Sequence, residues 1–177
     1  MRIAVLVGTV LLAAPVWAET VIKEDAGLRY AVQTDWVRVP APSDMRAAQY
    51  RVPGAEGKDA ELVLFFFGKG QGGDAEANLE RWYGQFTQPD GSASRDKAVV
   101  TIRTVNALKV TAVDLSGTYT AMGRGGPSQA ATDQRMVAAV VEGEGGPWFL
   151  RLVGPTETIV AAKPAFDELL RSLEAHH

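Results

Sequence analysis

The amino-acid sequence predicts an α+β domain in which a mostly antiparallel β-sheet is flanked by helices. Glycine- and proline-rich turns cut the chain into short segments, and several of these are apolar at consecutive positions. Such runs are typical of strands that are covered on both faces. Two longer segments repeat apolar residues at spacings of three and four, the period of a helix with one buried face. A sheet with helices on both faces explains both patterns, so we expect an α/β/α sandwich.

The first 18 residues predict a signal peptide. Arg2 supplies a positive charge, residues 3–14 form an apolar segment, and residues 16–18 (Val-Trp-Ala) fit a small-residue cleavage site. A membrane anchor and a buried helix are the alternatives, but the apolar run is short for a bilayer and no basic cluster follows it. We therefore expect cleavage after Ala18, a periplasmic or secreted location without membrane insertion, and one globular domain over residues 19–177.

Eight strands are expected between the turns. Residues 62–67 (Leu-Val-Leu-Phe-Phe-Phe) are apolar at every position, and their β-favouring residues, short length and flanking glycines favour a strand over a buried helix. Asn106-Ala107 predicts a tight hairpin turn, although alanine stands where glycine would suit a positive φ. The predicted strands cover residues 28–32, 36–39, 47–52, 60–67, 98–105, 108–119, 135–142 and 147–153.

Two helices are expected. The first begins at Asp74, a good N-cap residue, and runs to about Phe86. Trp82 lies on its apolar stripe, so packing in the core is a better interpretation than stacking on a sugar or peptide. The second helix covers about residues 156–174, and Pro164 either kinks it or marks the first turn of a shorter helix.

The composition excludes several classes of chemistry. The chain has no cysteine, and its two histidines are the terminal His176 and His177. Histidine-dependent triads, thiol catalysis and Cys- or His-rich metal sites are therefore not expected, and neither is a cofactor. The formal net charge is −3 and the basic residues are scattered, which argues against binding to nucleic acid.

A glycine-rich segment, residues 68–73 (Gly-Lys-Gly-Gln-Gly-Gly), follows a predicted strand and precedes the first helix. Three interpretations are open: a nucleotide site, a modest anion or ligand contact, and a tight structural turn. Asp74 places negative charge where a phosphate would sit, and a turn follows the helix instead of a second strand ending in an acid. The structural turn is therefore favoured.

The surface predicted to bind a ligand or partner combines this segment with polar residues outside the helix stripe and with the irregular loop 123–133. Long loops on a rigid sheet often carry function, although a flexible connection explains this loop equally well. The candidate residues are Lys69, Gln71, Gly72, Gly73, Arg81, Tyr83 and Arg124.

Acid–base catalysis by pairs of carboxylates is the alternative to a binding surface. Asp59 with Glu61 and Glu142 with Glu144 could serve as acid/base pairs of a hydrolase, but solvated strand ends explain both pairs. Asp114 lies in an apolar strand, so it needs a partner if buried, whereas an edge or solvent-facing position explains it as well.

Several short segments resemble an uncharacterised group of exported bacterial proteins. They comprise residues 45–50, 60–63, 70–73, 81–82 with 85–86, 117–119 and 152–155. The order of elements also resembles the PsbP-like fold, which includes the extrinsic proteins of photosystem II. This resemblance implies the sandwich architecture, but it implies no activity, because function belongs to particular sites and not to a fold.

The sequence therefore predicts a non-enzymatic, exported domain that binds an envelope protein or a small ligand. The first alternative is a carboxylate-dependent hydrolase or sugar-active enzyme, and the second is a purely structural component of the envelope. The sequence leaves the oligomeric state open.

Overall fold

The computed structural model describes residues 19–120 and 129–176. The predicted signal peptide and the candidate Arg124 lie outside the described residues. No helix in the described ranges is long and apolar enough to cross a membrane.

Strands dominate the structure, and three helices accompany them. The strands are β1 (Thr20–Asp25), β2 (Leu28–Gln33), β3 (Val37–Arg38), β4 (Arg46–Val52), β5 (Ala60–Phe65), β6 (Phe86–Thr87), β7 (Val99–Val105), β8 (Leu108–Thr120), β9 (Ala130–Glu142), β10 (Trp148–Pro155) and β11 (Glu174–Ala175). The helices are α1 (Ala75–Tyr83), α2 (Ser94–Lys97) and α3 (Thr156–Arg171), and a short 3₁₀ turn covers Ala55–Gly57.

The strands form two antiparallel sheets. The main sheet has the order β3-β4-β5-β10-β9-β8-β6, and β7 also pairs with β8. A smaller sheet has the order β1-β2-β11. The predicted class, a mostly antiparallel α+β fold, is confirmed.

The main sheet is apolar on both faces at its centre because different elements cover each face. Met136 and Val140 of β9 belong to a cluster that includes Trp82 of α1. The alternate residue Val141 belongs to a second cluster with Phe166 of α3. We call these two sides of the sheet the α1 face and the α3 face. Alternation along a fully covered strand accounts for the unbroken apolar runs in the sequence.

Some predicted boundaries are wrong. Helix α1 ends at Tyr83, and Phe86 pairs with Tyr119 as part of β6. Strand β9 begins at Ala130, inside the segment predicted to be irregular. The last predicted helical residue, Glu174, instead pairs with Arg29 of β2. In each case hydrogen bonding to a neighbouring strand of the sheet overrides the local pattern.

Strand β1 and Pro164 are two further points on which the structure adds to the sequence analysis. Strand β1, which the sequence analysis missed, pairs with β2 along its whole length. Its residues alternate between exposed and partly exposed positions, so it has no strong apolar signal. Pro164 lies inside α3 and therefore does not mark the start of a shorter helix.

The turn between β7 and β8 gives a first testable prediction. Asn106 and Ala107 have φ angles of 46° and 66°, the left-handed conformation of the predicted tight turn. Because this conformation strains an alanine, Ala107→Gly is expected to stabilise the protein by about 1 kcal/mol in urea unfolding. The exposed Ala161 in α3 is the matched control, since glycine there should destabilise by about 1 kcal/mol. A loss of stability in Ala107→Gly would contradict the turn geometry.

Candidate functional site

The α1 face of the main sheet is divided into two halves. On one half, Trp82 of α1 packs with Leu115, Met136 and Phe149 of β8, β9 and β10. On the other half, β4, β5 and the adjoining side of β10 present polar and aromatic side chains. We call this half the arginine–aromatic surface, and it consists of Arg46, Gln49, Glu61, Phe65, Phe67 and Arg151.

Phe65 is the centre of this surface. The guanidinium carbon of Arg46 lies 5.5 Å from the centre of its ring, and that of Arg151 lies 5.4 Å away. The ring of Phe67 stacks on that of Phe65 with a centroid distance of 6.2 Å and an interplanar angle of 5°. Cation–π attraction holds the two guanidinium groups beside Phe65. Phe67 is 39% exposed, so an apolar ring lies open to solvent next to two cations.

Hydrogen bonds orient one of the two arginines. Arg46 Nη1 donates to Gln49 Oε1 at 2.9 Å and to Glu61 Oε1 at 3.3 Å. Gln49 Nε2 donates to the same Glu61 oxygen at 2.6 Å. Glu61 therefore neutralises Arg46 and holds it in place, as charge-assisted bonds do.

Within the described residues, Arg151 has no acidic partner comparable to Glu61. It lies opposite Val63 in the middle of the sheet, and its Nη1 is 3.5 Å from Gln85 Oε1, the limit of a hydrogen bond. Its Nε is buried and has no hydrogen-bond acceptor within the described part of the chain. The surface therefore contains two arginines against one glutamate and is locally positive.

The glycine-rich segment borders this surface. Gly72 has a φ of 98°, and a Cβ atom there would lie 2.6 Å from Phe149 and 2.8 Å from Phe67. Its carbonyl accepts a hydrogen bond from Asn78 Nδ2 at 3.0 Å. Only glycine allows the backbone to approach the rings this closely. The structure thus places the predicted residue Gly72 against the aromatic part of the surface, and Lys69 of the same segment is exposed.

The start of α1 is satisfied from within the chain. Asp74 is the N-cap, as predicted, and its Oδ1 accepts a hydrogen bond from the Ala77 amide at 2.8 Å. This carboxylate occupies the position that a bound phosphate would need. Gly73 precedes it with a φ of 86°, and Gln71 is exposed. The contacts therefore favour the structural turn over a nucleotide site.

The two candidate residues on α1, Arg81 and Tyr83, have different surroundings. Arg81 is exposed, and its Nη1 donates to Asn78 Oδ1 at 2.8 Å. Tyr83 is the last residue of α1, about 12 Å along the helix axis from Ala75, the first residue of the helix. It lines a separate pocket of about 480 Å³ with Glu80 and Arg95. Burial, followed by the charge of Glu80, raises the pKa of Tyr83.

Asp114 and Asp59, two of the carboxylates singled out in the sequence, have cationic partners. Asp114 receives two hydrogen bonds from Arg135, at 2.8 and 2.6 Å, so it has the partner that a partly buried carboxylate in an apolar strand needs. Asp59 bonds to the Gly54 amide and to Arg51, and these contacts lower its pKa.

Glu142, the last residue of β9, pairs with Lys109 at 2.9 Å. Within residues 19–120 and 129–176, no group of three or more His, Cys, Asp or Glu side chains is arranged to hold a metal ion.

Sequence reasoning missed the residues that form the arginine–aromatic surface. A lone Arg151 in the otherwise apolar strand β10 was the available signal, equivalent to that of Asp114 in β8. Its meaning depends on the neighbouring strand, because Phe65 comes from β5 and Arg46 from β4. Trp82 is 5% exposed, which agrees with its interpretation as a core residue.

Comparisons with known proteins identify the fold. No protein-family model matches the chain, and a search of curated proteins finds no match. The solution structure of the cyanobacterial PsbP protein (CyanoP) from Synechocystis matches with a TM-score of 0.56 and 13% identity, covering 93% of this chain and 98% of that one. A protein of unknown function from Pseudomonas aeruginosa matches with a TM-score of 0.51 and 12% identity, covering 89% and 98%. At such identities the likeness shows the fold alone, and the chain has a PsbP-like fold.

Proposed function

We propose that this protein is a non-enzymatic binding domain, exported to the periplasm or secreted, that docks an acidic segment of an envelope protein. The docking site is the arginine–aromatic surface. The observation that carries the proposal is Phe65 held between Arg46 and Arg151, with the exposed ring of Phe67 beside it. Arginine and aromatic residues are the types that contribute most to binding at protein interfaces.

The charge distribution favours an acidic partner. The chain as a whole is acidic, with a formal net charge of −3, whereas this surface has two arginines against Glu61. Local positive charge on an acidic protein orients a negatively charged partner toward that patch. A guanidinium group presents two parallel donors to a carboxylate, and Arg151 has no acidic partner of its own within the described ranges.

The location rests on the signal sequence. A positive residue, an apolar segment and a small-residue cleavage site precede the described residues, in the order that an exported protein requires. The absence of cysteine is compatible with export, since a domain of this length can bury enough apolar surface without disulfides.

The enzyme alternative has a weaker basis. Asp114 and Asp167 line one cleft, as a carboxylate-dependent hydrolase would need. Each is paired with a cation, however, Asp114 with Arg135 and Asp167 with Lys163. These ion pairs occupy carboxylate oxygens that an acid–base mechanism would need for contact with a substrate, so we place the binding function first.

The proposal can be tested by site-specific photocrosslinking in the envelope. A photoreactive residue at position 67 is expected to capture a partner, whereas the matched residue at Val160 on α3, 54% exposed, is expected to capture none. For the captured partner, Arg151→Gln should weaken binding about 30-fold in calorimetry, because arginines at the centre of an interface contribute strongly. Binding should also weaken as salt is added.

The control variant is Arg29→Gln. Arg29 is an exposed arginine that pairs with Glu174 in the small sheet, away from the arginine–aromatic surface. It should leave the affinity unchanged. Equal capture at positions 67 and 160, or the same loss of affinity in Arg29→Gln and Arg151→Gln, would overturn the proposal.

A further inference from the structure

A cleft lies on the opposite side of the main sheet, between β7, β8 and α3. It has a volume of about 160 Å³. Lys163, Phe166, Asp167 and Leu170 form its helical wall, since residues spaced by three and four share one face of a helix. Strands supply the rest of the lining, which comprises Val99, Thr101, Arg103, Ala112, Val113, Asp114 and Val137.

Apolar groups dominate the inner part of the cleft. Phe166 is 1% exposed, Leu170 is 1% exposed and Val137 is 3% exposed, and all three belong to the core on the α3 face. An apolar cavity of about 150 Å³ is large enough to hold a benzene ring. The cleft therefore has room for an apolar body of about six carbon atoms.

Four charged groups around the cleft neutralise one another. Asp114 Oδ1 and Oδ2 accept from Arg135 at 2.8 and 2.6 Å. Lys163 Nζ donates to Asp167 Oδ2 at 2.7 Å, one helical turn along α3. The hydrogen bond to Asp114 raises the pKa of Arg135, so the guanidinium group of Arg135 stays charged. Neither pair has a charge left over for a ligand.

Arg103 is the remaining charged group of the lining. It lies opposite Val110 on the same face of the strand pair, and its side chain is half-buried. Its Nε is buried and has no hydrogen-bond partner among residues 19–120 and 129–176. Burying a donor without an acceptor is unfavourable, so a carboxylate at this position would satisfy Arg103 and balance its charge.

We propose that the cleft binds a small monocarboxylate, with its carboxylate on the Arg103 guanidinium and its apolar body against Phe166 and Val137. Among the described residues, Arg103 is the charged group of the lining that no ion pair neutralises, and it suits a single negative charge. A phosphate or a dicarboxylate would bring a further negative charge that the lining does not offset. This site lies on the opposite face of the sheet from the arginine–aromatic surface and does not depend on the function proposed for that surface.

Benzoate is the probe for this site. A nuclear magnetic resonance titration of the protein is expected to shift the methyl signals of Val137 and Leu170, with a Kd of about 1 mM for a ligand of this size. Benzyl alcohol, which has the ring but no charge, should bind at least about tenfold more weakly, because charge-assisted hydrogen bonds are the strong ones.

Variants of Arg103 distinguish the contribution of its guanidinium group from that of the apolar lining. Arg103→Gln should weaken benzoate binding about tenfold and leave the affinity for benzyl alcohol unchanged. Arg103→Lys should weaken benzoate less, since it keeps the charge but loses the two parallel donors. Arg29→Gln, at an exposed site in the small sheet, should have no effect.

Three outcomes would overturn the proposal. They are an absence of benzoate-induced shifts at Val137, equal affinity for benzoate and benzyl alcohol, and displacement of benzoate by inorganic phosphate at similar concentration. The last result would identify a general anion site. Unchanged benzoate affinity in a folded Arg103→Gln variant would remove the assigned role of the guanidinium.

Discussion

Replacing Trp148 by alanine is expected to destabilise the protein by about 3–5 kcal/mol, the usual cost of removing a large buried aromatic side chain. Trp148 is 1% exposed and belongs to the core on the α3 face. Its ring packs on Phe66 with a centroid distance of 6.1 Å. Its Nε1 donates to the carbonyl of Ala26, in the turn between β1 and β2, at 2.8 Å. The side chain therefore fastens the small sheet to the central strand β10.

The matched control for this prediction is Trp148→Phe. Phenylalanine keeps much of the apolar contact but leaves the Ala26 carbonyl without its donor, so a smaller loss of about 1–3 kcal/mol is expected. Urea unfolding followed by circular dichroism measures both values. Hydrogen exchange should show that β1 and β2 lose protection first, because they lose their link to β10. Equal stability of Trp148→Ala and the wild type would contradict the packing described for β10.

Alkaline pH is expected to destabilise the protein through Tyr30. This side chain is 2% exposed, donates to Asp25 Oδ2 at 2.6 Å, and lies 3.0 Å from the hydroxyl of Tyr50. Burial, followed by the hydrogen bond to Asp25, raises the pKa of Tyr30 far above its usual range. The folded state thus keeps a proton that the unfolded state releases near pH 10. The stability that Tyr30 contributes is complete below about pH 10 and is lost as the pH rises further.

Tyr30→Phe isolates this effect. At neutral pH the variant should be less stable by about 1–3 kcal/mol, because Asp25 loses a hydrogen-bond donor. Above about pH 10 the difference between the two proteins should shrink, since phenylalanine has no proton to lose. The two proteins differ only at residue 30, so the pH dependence of the difference in free energy of unfolding reports the removal of the Tyr30 hydroxyl. A difference that stays constant with pH would contradict the buried, protonated phenol.

Local features were the part of the fold that the sequence predicted well. The apolar strand β5, the N-cap Asp74 and the tight turn at Asn106-Ala107 each depend on a few adjacent residues, and each is found where it was expected. The PsbP-like order of elements follows from such segments. The strand pairings of β1 and β11 were missed, because these strands are short or polar and are stabilised by partners far away in the chain.

The arginine–aromatic surface required the tertiary structure. Arg46, Phe65 and Arg151 come from three strands and meet only because β4, β5 and β10 pair in one register. The sequence led to the neighbouring glycine-rich segment instead, and Gly72 does contact Phe67. Similarly, the sequence indicated that Asp114 would need a partner if buried, and strand pairing decided that its partner is Arg135.

The sequence by itself determined the fold class and most of the local elements, because these depend on composition and local periodicity. Only the tertiary structure decided which part of the sheet stays open. A helix is about 10 Å across and neighbouring strands lie about 4.8 Å apart, so one helix covers two or three strands. Helix α1 packs over β8, β9 and β10 through Trp82 and leaves β4 and β5 to be covered by arginine and aromatic side chains.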